Sequence, residues 1–187
     1  ALMNCKLAGT DMTVDAALKE KILTIGENLK IRRFTRYEGN VVNYTHGGGR
    51  IGVLVKFDLD GVADNDAFET FGKDIAMQIA AYSPLYLKKE DVPAEALEKE
   101  KEILTAQALN EGKPEKIIEK MVMGRINKYY KEVCLVDQEF VKDPDQTVGK
   151  LVKAAGAEVL AFSRFQLGEG IEKKQEDFAA EVMSQIK

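Results

Sequence analysis

Side chains able to do covalent or metal chemistry are few in this sequence of 187 residues. His46 is its one histidine, and Cys5 and Cys134 are its two cysteines. Zinc sites draw three or four ligands largely from these residue types, so no His-based cluster can form, and neither cysteine has a ligand-like neighbour in sequence. A Ser-His-Asp set would have to use His46, and no Gly-x-Ser-x-Gly turn presents a nucleophile to it. The run Gly47-Gly48-Gly49-Arg50 lacks the order of a phosphate loop and leads into a strand-like segment, where a phosphate loop opens a helix. Asp58 to Glu69 has the length of a calcium loop. Its fifth place is Val62, which brings no side-chain oxygen, and its sixth is Ala63, where the sharp turn wants glycine. Carboxylates are spread along the whole chain, so no pair of them is informative. These residues describe a binding protein better than an enzyme, and no cofactor or metal is expected.

The net charge of −4 argues against a nucleic-acid surface, because phosphate binding needs concentrated Lys and Arg. Lys30, Arg32, Arg33 and Arg36 are the local exception. They read either as solvated edges of a strand or as an anion site. Hydrophobic residues at 45% and charged residues at 31% suit an ordinary soluble chain, and no apolar run approaches the roughly 20 residues that cross a bilayer. With no secretory leader pattern and no CxxC pair or disulfide framework, we expect no membrane contact and a cytoplasmic location, an organelle matrix being the alternative.

The elements that must carry these residues are organised around Arg36 to Asp58. Val41 to His46 is rich in β-branched and aromatic residues, the three glycines allow a tight reversal, and Ile51, Val53, Val55 and Phe57 alternate with Gly52, Leu54 and Lys56. This predicts a β-hairpin with one face in a core. Two strands alone are marginal in water, so other segments must cover it. Before it, Thr13 caps a predicted helix that Gly26 stops, and Glu27 to Tyr37 alternates as a further strand. After it, Phe68, Phe71, Ile75, Ile79 and Tyr82 recur at helical spacing until Ser83-Pro84 ends the helix, and Gly72 inside it suggests a close approach to another backbone.

From Lys88 to Lys131 the character changes. Pro93 to Asn110 and Pro114 to Tyr130 each offer one narrow apolar stripe and a charged remainder, which predicts two antiparallel helices packed mainly on each other. Such an arm is either solvated or a docking or self-association surface. Glu132 to Val141 is a mixed loop or strand, Lys142 to Asp145 a turn, Thr147 the cap of a short helix closed by Gly156, and Glu158 to Leu167 a strand. A shift of 131 places aligns Glu27, Leu29, Ile31, Arg33, Phe34, Glu38 and Gly39 with Glu158, Leu160, Phe162, Arg164, Phe165, Glu169 and Gly170, six of the seven pairs being identical. Convergence and duplication both explain this, and both place the two segments in similar sheets. Gln175 to Ile186 is an amphipathic helix. The expected fold class is α+β, a small antiparallel sheet covered by helices with a protruding coiled-coil-like hairpin. We divide the chain into residues 1–24, the helical tail of a preceding subdomain; 25–88 with 132–172, an α+β core; 89–131, the inserted hairpin; and 173–187, a C-terminal helix.

Ile25-Gly-Glu-Asn-Leu-Lys-Ile-Arg-Arg-Phe, Tyr44-Thr-His-Gly-Gly-Gly-Arg-Ile-Gly-Val-Leu-Val, Asp74-Ile-Ala-Met-Gln-Ile-Ala-Ala, Phe140-Val-Lys-Asp-Pro-Asp-Gln-Thr-Val-Gly and Arg164-Phe-Gln-Leu-Gly-Glu-Gly-Ile-Glu-Lys stand in order with compatible spacing. Together with Asp177-Phe-Ala-Ala-Glu-Val, they closely resemble the elongation factor Ts family. The resemblance implies a guanine-nucleotide exchange factor that binds elongation factor Tu, GDP-bound and nucleotide-free, and promotes GDP release. It implies that His46, Phe140 and Val141 contact that partner's third domain, and that Phe178 and Val182 lie in a helix that packs on its nucleotide-binding domain. The family's Thr-Asp-Phe-Val motif, which wedges into the partner beside its magnesium and phosphates, does not occur in this sequence. This implies the C-terminal portion of a longer factor, acting as its anchor. A self-associating or scaffold module, with a homodimer through the helical hairpin, is the rival reading.

Overall fold

Alternation of Ile51, Val53, Val55 and Phe57 does what period two requires: in β2 (Ile51–Asp58) Val53, Val55 and Phe57 turn into the core and are at most 2% exposed. We describe the fold from a computed structural model, in which residues 2–59, 65–112 and 114–171 are described. By its internal contacts the chain forms two units, Ala1–Arg36 and Tyr37–Lys187. In the first, Thr13 accepts from the Ala16 amide to open α1 (Val14–Ile25), and Gly26 closes it in the left-handed conformation, φ 79°.

The second unit is α+β. β2 is the middle strand of an antiparallel sheet of order β1-β2-β5, with β1 (Asn40–His46) on one side and β5 (Glu158–Gln166) on the other. Gly47, Gly48 and Gly49 all have positive φ, from 63° to 89°, so they make the reversal between β1 and β2 at little steric cost. Across β1 and β2 lies α2 (Asn65–Tyr82), with Ile75, Ala76 and Ile79 wholly buried, and Phe68 edge-on to Phe57 at 5.0 Å between ring centroids. Gly72 is the point of closest approach. What it approaches is a side chain and not a backbone: a Cβ built there would stand 2.6 Å from Val42 Cγ2.

α3 (Ala94–Asn110) and α4 (Glu115–Val133) pack side by side through Leu104, Ala108, Ile118 and Ile126. Arg125 joins them again, 2.9 Å from Glu111 and 3.5 Å from Gln107. Where the chain leaves for this pair and where it returns, the backbone is stitched: Tyr86 N–H donates to Val133 O, Leu135 N–H to Tyr86 O and Val136 N–H to Leu87 O, at 2.9 to 3.1 Å. A salt bridge of 3.0 Å between Lys89 and Asp137 flanks that seam. The chain then forms a two-stranded ribbon, β3 (Glu139–Phe140) and β4 (Asp143–Thr147), before α5 (Val148–Ala154), which Thr147 caps through the Lys150 amide. Among the described residues, no helix is long and apolar enough to cross a membrane.

Three expectations need correction. Residues 27–37 form no strand: alternation describes a suitable face, but a ladder needs a second backbone, and here the Leu29 amide turns back to Glu27 O at 3.0 Å. The internal similarity therefore does not place its two copies alike, since 158–166 is β5 and 27–35 is irregular. The predicted turn at Lys142 to Asp145 is shifted, with Val141 and Lys142 at the reversal and Asp143 already in β4. Pro144 is tolerated because a two-stranded ribbon has an outer edge that asks for no N–H. The amphipathic helix at Gln175 to Ile186 lies outside the described residues.

Replacing Gly72 with alanine sets a methyl against Val42 and should cost about 1–3 kcal/mol. Urea unfolding followed by circular dichroism measures it, and Val42→Ala in the same chain should recover part of the loss. An unchanged midpoint for Gly72→Ala would mean that β1 and α2 separate freely.

Candidate functional site

His46 ends β1 at the glycine turn, exposed to solvent. Its ring is held by its own strand, because residues two apart share a face: Tyr44 Oη stands 3.0 Å from His46 Nδ1, with ring centroids 6.0 Å apart. Either the hydroxyl or Nδ1 can be the donor, and in both cases the bond orients the ring and uses only Nδ1, so Nε2 is the nitrogen not engaged in it. Opposite in the register stand Ile51 and then Gln166, and one pair of residues further in stand Tyr44, Val53 and Arg164. The Arg164 guanidinium reaches Ala80 O in the last turn of α2 at 3.4 Å and Gln166 Oε1 at 3.0 Å. Through these contacts the hairpin tip is set at the C-terminal end of α2.

Phe140 and Val141 are neighbours in sequence and opposites in space. Phe140 is 5% exposed and belongs to the core beneath α2, whereas Val141 is 38% exposed on the β3–β4 reversal. The reversal is tied to the same helix. Val141 N–H donates to Gln78 Oε1 at 2.8 Å, and Lys142 pairs with Asp74 at 2.7 Å. The second half of α2 thus meets the sheet through Arg164 and carries the Val141 turn through Asp74 and Gln78. Phe178 and Val182 lie outside the described residues.

Gln78 is not among the candidate site residues that the sequence points to. It is wholly buried, and so is Gln138 at 2% exposure. Gln78 Nε2 donates to Gln138 Oε1 and to Glu139 O, both at 3.1 Å, while Gln138 Nε2 donates to Glu132 O at 2.8 Å. The signal was present: Gln78 sits three places after Ile75 on the face that α2 turns inward, and a polar residue there must find partners.

Groups able to do chemistry are not gathered at this region. Cys134 is buried at the seam of α4, where burial, with Asp137 nearby, pushes its thiol up to about 11. Cys5 is exposed in the other unit. Among the described residues no group of three or more His, Cys, Asp or Glu side chains is arranged to hold a metal ion. A cleft of about 330 Å³ between Leu87, Val136, α5 and the start of β5 is mainly apolar, with Lys88, Lys153 and Glu158 at its walls. The described geometry offers contact surface.

Comparison with known proteins decides the family. The sequence profile described as Elongation factor TS matches residues 1–169. This chain belongs to the elongation factor Ts family. It is 53% identical over 179 residues to an elongation factor Ts of Halothermothrix orenii, which covers 95% of this chain and 59% of that protein. With an elongation factor Ts of Desulfitobacterium hafniense it shares 52% over 199 residues, covering 99% of this chain and 90% of that protein. For Clostridium botulinum the figures are 52%, 95% and 61%. The chain thus spans about three fifths of the length of two of these relatives and most of the third. The residues that match include the His46 and Val141 turns.

The two thiols should differ in native reactivity. At pH 8 a group titrating near 11 is thiolate in only about one molecule in a thousand, and Cys134 is also sterically enclosed. An alkylating reagent should label Cys5 and leave Cys134 untouched until denaturant is added, as peptide mass mapping would show. Equal labelling of the folded chain would mean that the seam opens readily.

Proposed function

We propose that this chain serves as the anchoring part of a guanine-nucleotide exchange factor that binds elongation factor Tu and promotes release of GDP. The observation that carries the reading is the family match over residues 1–169, which includes the turn at His46 and the reversal at Val141. Both present exposed groups on fixed backbone, as a docking surface requires. His46 offers an oriented imidazole edge and Val141 an apolar contact. Phe140, being buried, serves the contact by setting the reversal and not by touching the partner. Phe178 and Val182 are assigned to the partner's nucleotide-binding domain on the resemblance alone. We also propose the division into a core of residues 25–88 with 132–172 and an inserted pair at 89–131, although by internal contacts residues 25–36 group with the first unit.

Exchange needs no bond-making. The factor must bind the nucleotide-free partner more tightly than the GDP-bound one, and because linkage is reciprocal GDP is weakened by the same factor. Each tenfold weakening requires about 1.4 kcal/mol of differential binding. In this reading the chain supplies contact area, while a Thr-Asp-Phe-Val segment supplies the wedge that disturbs the phosphate site.

Stopped-flow release of a fluorescent GDP from elongation factor Tu, run beside a binding titration, tests both halves of the reading. The chain should bind saturably and accelerate release less than a chain joined to a Thr-Asp-Phe-Val-bearing segment. His46→Ala should weaken binding by about 1–2 kcal/mol with the fold unchanged. Full acceleration by the chain alone would overturn the division of labour, and no binding would overturn the reading.

A second reading draws on the helical pair, where Ile103, Leu109, Ile117 and Met123 are all more than 40% exposed. Apolar groups in that number on one pair of helices suit self-association. Light scattering on a chain with residues 89–131 replaced by a short linker should then show loss of a dimer, with binding to elongation factor Tu retained. A monomer before and after would remove this reading.

A further inference from the structure

We infer that Asp74 and Gln78 of α2 are positioning residues for partner binding: together they fix the Val141-Lys142 reversal in the orientation that meets elongation factor Tu. The inference rests on the proposed contact of Val141 with that partner and adds the residues that hold it. Asp74 and Gln78 are four apart, so they stand one above the other on one face of the helix. They grip consecutive residues of the reversal, Lys142 through an ion pair of 2.7 Å and Val141 through its backbone amide at 2.8 Å.

The polarity of the amide is forced by its surroundings. Val141 N–H is a donor and must meet Oε1, while Gln138 Oε1 and Glu139 O are acceptors and must meet Nε2. Only a group carrying an acceptor at one end and two donors at the other satisfies all three. Gln138 in turn is anchored to Glu132 O in the last turn of α4, which ties the amide pair, and not the reversal itself, to that helix. A buried amide of this kind, wholly within the core, is a costly choice compared with Leu or Met unless its orientation matters. A two-residue reversal beside exposed Val141 has little packing of its own to fix it, and without these tethers it samples other conformations, which lowers the fraction competent to bind.

A double-mutant cycle with elongation factor Tu tests this. Val141→Ala and Gln78→Met, which keeps length and volume, should each weaken binding about tenfold, and the double variant should be weakened far less than a hundredfold. Gln78→Glu, whose neutral acid retains an acceptor for Val141 N–H, should bind more tightly than Gln78→Met. Gln138→Met removes the anchor to α4 but leaves the Val141 bond. It should lower the unfolding midpoint while changing affinity less than about twofold. Asp74→Ala alters only a surface pair, so it tests the same reversal even if Gln78→Met does not fold. It should raise the dissociation rate of the complex and couple with Val141→Ala. Fully multiplicative effects, or Gln78→Met and Asp74→Ala at wild-type affinity while Val141→Ala is weakened, would overturn the inference. Wild-type affinity for Val141→Ala itself would overturn the contact on which it rests.

Discussion

The second unit depends on the burial of β2 from three directions. Each edge of the strand is satisfied by a neighbour, β1 on one side and β5 on the other, and one face is closed by α2. Val53, Val55 and Phe57 are removed from water almost completely, each worth roughly 1.5–3 kcal/mol of transfer free energy, and Ile75 and Ile79 gain in the same way from the helix side. Because the strand's period is two, a slip of one residue would turn all three core residues outward, so the hydrophobic pattern sets the register. The glycine turn and the position of His46 at the end of β1 follow from that register.

What was readable in the chain was whatever a local pattern alone determines. Thr13 and Gly26 bracket α1 because a cap needs only its own neighbours, and the hairpin was readable because glycines at Gly47 to Gly49 separate two apolar, alternating runs. The failures share one cause, that a strand is a relation between two segments. Residues 27–37 have the alternation but find no partner backbone, while Asp143–Thr147 has poor strand composition and pairs with Glu139–Phe140 all the same. The site was readable to a similar depth. His46 was placed correctly at a hairpin tip, but nothing in Phe140-Val141 says which of two adjacent apolar residues goes inward, since that depends on α2 passing over one of them.

Buried polarity distinguishes the α2 surface from the rest of the core. Most of the core is aliphatic and tolerant of exchange between similar volumes, so it specifies the fold without specifying an orientation at each place. The paired amides of Gln78 and Gln138 are directional, and no buried side-chain polar atom among the described residues lacks a partner. Directional contacts are found where the chain reverses between Phe140 and Asp143, next to the outward-facing valine. A rigid scaffold beneath an exposed turn reduces the ordering cost of association.

The seam at Tyr86 and Cys134 gives the helical pair a single doorway. The chain goes out through it at Leu87 and comes back at Val133, and parallel bridging keeps its two jambs a hydrogen bond apart. To the sheet, everything beyond the doorway is a loop whose ends are already closed, and the entropy of closing it grows only with the logarithm of its length. Lengthening or shortening the helices beyond that threshold therefore costs the hairpin and its histidine little.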